Sequence, residues 1–118
     1  MYKENMIDSL LTKKREIEKD VSEIDLRIPK YRKGSLFNQS GYYYLKWYEN
    51  GKTLSNYVGK NLTEEEINNI KRETQNRKTL ERRKKEYLKE LNEINKLIAR
   101  YGGKLWTLKE QELWLINT

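Results

Sequence analysis

The sequence predicts an α+β fold: an antiparallel helical coiled-coil hairpin, a small two- or three-stranded antiparallel sheet inserted between its helices, and a short C-terminal helix. Three observations predict it. Apolar residues recur at heptad steps in two long segments, a run of alternating aromatic and polar residues separates them, and that run contains Asn50-Gly51. This dipeptide is the best-suited loop for a two-residue type I′ hairpin, because Asn tolerates positive φ and Gly adopts it freely. With 118 residues, 36% hydrophobic and 36% charged, the chain is expected to be one domain, built from helices with narrow apolar seams rather than around a thick core.

The first helix is expected over residues 2–28. Ile7, Leu10, Lys14, Ile17, Val21, Ile24 and Ile28 follow steps of 3 and 4, the stripe of a coiled coil interrupted by one lysine. That lysine either snorkels or fixes register. Pro29 ends the helix and biases Ile28 toward extended backbone.

The sheet is expected within residues 30–60. With Asn50-Gly51 as the loop, Glu49 faces Lys52, Tyr48 faces Thr53, Trp47 faces Leu54, and the ladder continues through Tyr44–Tyr57 to Tyr43–Val58. The period of two then gives one face with Tyr43, Leu45, Trp47, Leu54 and Val58, and Asn56 as its odd member. The opposite face carries Tyr42, Tyr44, Lys46, Tyr48, Thr53, Ser55 and Tyr57. The first suits packing on helices and the second suits solvent or a partner. Leu36 and Phe37 supply a third strand, turned through Asn38-Gln39-Ser40-Gly41, since a two-stranded ribbon alone is marginal.

The second helix, expected over 63–101, opens with a capping box at Thr63 and Glu66 and a hydrophobic staple of Leu62 and Ile67. Its seam runs Ile67, Ile70, Thr74 and, after a phase slip near Arg77, Leu80, Lys84, Tyr87, Leu91, Ile94, Ile98 and Tyr101. Gly102-Gly103 is the expected stop. Thr107 and Glu110 form a second capping box, which predicts a short apolar helix within 104–118 that folds back on the coil or joins two chains.

Composition excludes several kinds of chemistry. With neither cysteine nor histidine, disulfides, thiolate nucleophiles, imidazole catalysis and nearly all transition-metal sites are removed. The acids are interleaved with lysine and arginine on helices, the pattern of solvated ion pairs, so no metal, cofactor or enzymatic activity is expected. No stretch reads as a membrane span or signal peptide, and a cytoplasmic protein is expected.

Charge is concentrated in the sheet region. Lys30, Arg32, Lys33, Lys46, Lys52 and Lys60 stand against Glu49 alone, a net +5 of the chain's +7. These cations are candidates for phosphate contact, and Tyr42, Tyr44, Tyr48 and Tyr57 for stacking on bases or contact with sugar and groove edges. Arg77 and Arg82 lie in a basic run of the second helix that reads either as a solvated face or as a further phosphate-contacting stripe. A non-enzymatic nucleic-acid-binding protein, for DNA or RNA, is the first expectation. An inhibitor of a host nucleoprotein is the alternative, and a coiled-coil assembly factor, dimeric through the coil or the tail, is the third.

Arg32-Lys33-Gly34-Ser35-Leu36, the run Tyr42 to Trp47, Gly51-Lys52, Tyr57-Val58-Gly59-Lys60 and the helix after Thr63 also carry a resemblance. Over about residues 29–98, the chain resembles a family of small proteins of phages and other mobile elements of bacteria and archaea. Its hairpin resembles the N-terminal β modules of some transposases and the arm-binding domains of phage integrases, which read DNA with a small sheet. The resemblance implies a mobile-element origin and, for the inhibitor alternative, an anti-CRISPR-like protein encoded by a phage. Many members of that family have a cysteine-rich turn before the tyrosines; here Asn38-Gln39-Ser40 stands in that place, so no metal is implied.

Overall fold

A computed structural model describes residues 2–117 of the chain, with side chains for residues 5–101. The elements are α1 (Tyr2–Arg27), a short 3-10 turn (Ile28–Lys30), β1 (Ser35–Gln39), β2 (Tyr42–Glu49), β3 (Lys52–Lys60) and α2 (Glu64–Asn117). The fold is therefore α+β, two helices with a three-stranded antiparallel sheet between them in order β1-β2-β3. The chain divides into two compact units, one of residues 1–23 with 84–118 and the other Ile24–Arg83.

In the first unit the heptad positions of α1 and α2 are the less exposed ones, and Ile17 and Ile94 are buried. Lys13 Nζ lies 3.5 Å from Glu90 Oε1. Lys14, the odd member of the α1 stripe, is half-buried, and its ammonium lies 4.0 Å from Glu18 one turn on. That is the arrangement expected of a lysine whose stem covers apolar surface while its charge stays in water.

The second unit holds the sheet and is packed around Ile24, Leu45, Ile70, Thr74 and Leu80. Thr74 is the polar member of this core, and its hydroxyl donates to the carbonyl of Lys71 at 3.1 Å. α2 starts where the capping box requires. The Glu66 amide donates to Thr63 Oγ1, and the Thr63 amide donates to Glu66 Oε2, each at 3.2 Å. Two otherwise orphaned donors of the first turn are satisfied in this way. Three glutamates in that turn also complement the helix dipole.

Both hairpins close through two-residue loops. Asn50 and Gly51 have φ of 51° and 78°, the doubly positive pattern of a type I′ turn. Ser40 and Gly41 repeat it with 54° and 86°. The β1–β2 turn is thus tighter than expected: Asn38 and Gln39 stay in β1, opposite Tyr43 and Tyr42. Asn38 Oδ1 accepts from the Gly41 amide at 2.9 Å, which provides a local reason for the tight closure.

Four expectations are corrected. Ile28 is not extended: it opens the 3-10 turn with Pro29 in its first positions, where a proline costs no hydrogen bond, and extended backbone begins at Tyr31. The β2–β3 ladder follows the expected register as far as Tyr44–Tyr57. A bulge there leaves Val58 without a partner, so Tyr43 faces Gly59 and Tyr42 faces Lys60. The apolar face is only partly covered: Leu45 is buried, whereas Leu54 and Asn56 are exposed. Finally, α2 is assigned through Gly102-Gly103 without a break, and no separate C-terminal helix is assigned among the described residues. Glycine costs a helix about 1 kcal/mol relative to alanine but keeps its N–H, so strong helix formers on both sides can carry a helix through the pair. The expected packing of the apolar tail involves side chains outside the described residues.

Candidate nucleic-acid interface

Residues directly opposite in an antiparallel ladder share a face. Across the three strands this gives the rows Gln39–Tyr42–Lys60, Phe37–Tyr44–Tyr57 and Ser35–Lys46–Ser55, with Tyr48–Thr53 beyond them toward the Asn50 turn. The face therefore carries five aromatic rings, two lysines and no acidic residue. Four of the rings are openly exposed, Tyr48 at 74% and Tyr57 at 58% most of all.

The rings and lysines organise one another. Tyr57 meets Tyr44 edge-on with centroids 5.5 Å apart, and Tyr42 at 6.4 Å. Lys46 Nζ lies 5.2 Å from the centroid of Phe37, and Lys60 Nζ lies 5.1 Å from that of Tyr42. Both ammonium groups are thereby held over ring faces on this side of the sheet. The bulge creates the second of these pairs, because it sets Lys60 opposite Tyr42. Phe37 was expected in the third strand but was not among the candidate site residues. Its signal was the two-residue Ser40-Gly41 loop, which fixes the β1 register and places Phe37 opposite Tyr44.

The structure brings together six of the expected residues, Tyr42, Tyr44, Lys46, Tyr48, Tyr57 and Lys60, and sets the others elsewhere. Lys52 is opposite Glu49 in a row of the apolar face. Lys33 lies on that face too, 5.8 Å from the centroid of Trp47 and 3.5 Å from Glu49 Oε2. The Trp47 indole N–H donates to Glu49 Oε2 at 3.2 Å. That hydrogen bond first, and the charge of Lys33 second, hold the Glu49 carboxyl below the usual carboxylate range. Lys30 is exposed in the 3-10 turn and Arg82 is exposed on α2.

Arg32 and Arg77 belong to the scaffold that carries β1. Glu73 of α2 accepts from the Arg32 amide at 2.8 Å and pairs with its guanidinium at 3.7 Å. Arg77 is half-buried, with its side chain 18% exposed, and Nη1 donates to the carbonyls of Tyr31 at 2.9 Å and Ile28 at 3.4 Å. Its Nε donates to Glu81 at 2.9 Å. Lys78 Nζ completes the anchorage by donating to Ser35 Oγ at 2.7 Å. Three side chains of α2 thus fix the segment that feeds the sheet.

A cavity of about 330 Å³ is lined by Arg32, Lys33, Leu45, Trp47, Asn56, Tyr57 and Val58. Its two cations each face a carboxylate, Glu73 and Glu49, so their charge is balanced locally. The aromatic face carries its lysines with no acid among them, and it is the stronger candidate for a polyanion. Among the described residues no group of acidic side chains is placed to hold a metal ion, and no helix is long and apolar enough to cross a membrane.

The model of a domain of unknown function, DUF6788, matches residues 7–68, just over half of the chain and the whole of the sheet, and the chain belongs to that family. No curated protein matches it. No solved structure matches it either.

Proposed function

We propose that this protein is a non-enzymatic nucleic-acid-binding protein whose contact surface is the aromatic face of the sheet. One observation carries the reading: five rings and two lysines share one acid-free face, with the lysines held over the rings. Lys46 and Lys60 would contact phosphates, and the exposed rings of Phe37, Tyr42, Tyr48 and Tyr57 would stack on unpaired bases or lie against sugars. The motif resemblance supports a mobile-element setting for this activity. A coiled-coil pairing of α1 with α2, supported by their matched heptad stripes and the Lys13–Glu90 pair, would serve as the support for the sheet.

The test is binding to single-stranded DNA, duplex DNA and RNA over a salt series. We expect dissociation constants below about 1 mM at low salt and a steep salt slope, reduced by roughly 0.7–0.9 in Lys46→Ala. Tyr57→Ser should weaken binding to unpaired strands by about 5- to 150-fold, the range of one lost base stack. Affinity weaker than millimolar for all three ligands at low salt would refute the reading. Tyrosine also suits protein interfaces, so a partner retained from nuclease-treated lysate by the wild type and lost by Tyr48→Ser would favour an inhibitor of a host nucleoprotein instead.

A further inference from the structure

We infer that one stripe of α2, formed by Lys71, Lys78 and Arg82, continues the phosphate-binding surface beyond the sheet, so that the full site takes a strand longer than the aromatic face alone can hold. This inference rests on the nucleic-acid-binding reading and extends its footprint.

At 100° per residue, Lys71, Gln75, Lys78 and Arg82 fall within about 60° of one another. All four are exposed. The steps of 4, 3 and 4 give a rise of about 16 Å from Lys71 to Arg82. Two acids lie in the same stretch, Glu73 and Glu81, and both are committed elsewhere, Glu73 to Arg32 and Glu81 to Arg77. The stripe therefore presents three cations and one amide with no acidic member.

Its position ties it to the sheet. Lys78, in the middle of the stripe, donates to Ser35 Oγ at 2.7 Å. Ser35 opens β1 and shares the row of Lys46 and Ser55 on the aromatic face. The cationic stripe thus meets the candidate surface at a defined point, the β1 edge. All of these residues lie in the same compact unit, Ile24–Arg83. The substitution of roles is also informative. Arg77, within the basic run, turns away and supports the chain entering β1, while Lys78 beside it connects the stripe to the face.

The chemistry selects the ligand class. Three cations spread over about 16 Å of one helix face suit the repeated charges of a phosphodiester backbone, so this segment adds electrostatic affinity along the strand.

The experiment compares wild type with the double variant Lys71→Ala, Arg82→Ala, which keeps Lys78 and its hold on Ser35, on single-stranded oligonucleotides of about 6 and about 20 nucleotides, lengths on either side of the usual range for one small binding module. Alanine preserves helix propensity, and circular dichroism of the variant checks the fold. For the longer strand, the slope of log K against log salt should fall by about 1.4, from two lost contacts at roughly 0.7 each. For the short strand the slope should be unchanged. An unchanged slope with the longer strand, or an equal fall with both, overturns the inference while leaving the sheet reading intact. Failure of the wild type to bind either strand would instead refute the parent reading.

Discussion

Gly34 shows how one residue can fix the position of a strand. Its φ is +100°, and a Cβ built there would stand 2.6 Å from the carbonyl oxygen of Lys46. The obstacle is β2 backbone, so it cannot swing aside as a side chain would. Gly51 is a useful comparison, because its φ is also positive but a Cβ would meet only the Tyr48 hydroxyl at 3.8 Å. Ala at Gly51 should therefore cost only left-handed backbone strain, about 1 kcal/mol. Ala at Gly34 adds a backbone collision to the same strain and should cost at least about 2–3 kcal/mol. Urea denaturation of the two variants checks the order, and equal midpoints would show that β1 can move away from β2 without loss.

Among the elements, the hairpin was the most legible in the sequence, and the reasons are local. Asn50-Gly51 set the loop, the loop set the register, and the period of two then sorted the side chains correctly from Glu49 to Tyr44. Legibility ended at the bulge. Nothing in Tyr57-Val58-Gly59 marks Val58 as the residue without a partner, since the bulge is a property of the paired backbone. Gly59 gives only an indirect hint: a Cβ there would lie 3.0 Å from Leu62. The capping box was equally legible, being a contact of neighbours in sequence. Arg77 was not. A basic run looks the same from sequence whether a member points outward or inward, and only the arrival of Ile28 and Tyr31 carbonyls beside α2 gives this guanidinium its role. That role makes a prediction about the element it supports. Arg77→Met keeps the stem but takes the guanidinium from the Tyr31 carbonyl, while the Ile28 carbonyl keeps the Tyr31 amide as a donor, and it should destabilise the fold by about 1–3 kcal/mol. Arg77→Lys should recover only part of that loss, because an ammonium lacks the planar fork. Thermal or urea unfolding of both variants decides it, and a wild-type midpoint for Arg77→Met would return Arg77 to the surface cations.

For the whole molecule, the distribution of burial and charge separates what holds the chain together from what is offered to a partner. Buried apolar side chains lie on α1, α2 and Leu45, whereas the aromatic face contributes none of the buried residues. Net charge follows the opposite pattern, with +5 of +7 falling in residues 30–60. If the helices are the support and the sheet face the working surface, stability and binding should respond to different substitutions. Ile94→Ala removes a buried side chain and should cost about 2–5 kcal/mol of stability. At temperatures where that variant is still folded, its affinity for nucleic acid should match the wild type. Tyr48→Ser removes a ring that is 74% exposed and should change stability by less than about 0.5 kcal/mol. The same change should weaken binding to an unpaired strand by about 1–3 kcal/mol. Measuring both quantities for both variants gives four numbers, and the pattern among them carries the conclusion. A chain whose sheet served only as a structural end-piece would lose stability in Ile94→Ala and show no loss of binding in Tyr48→Ser. A chain that binds through its sheet face gives the crossed pattern, because the groups that meet the ligand contribute almost nothing to the core.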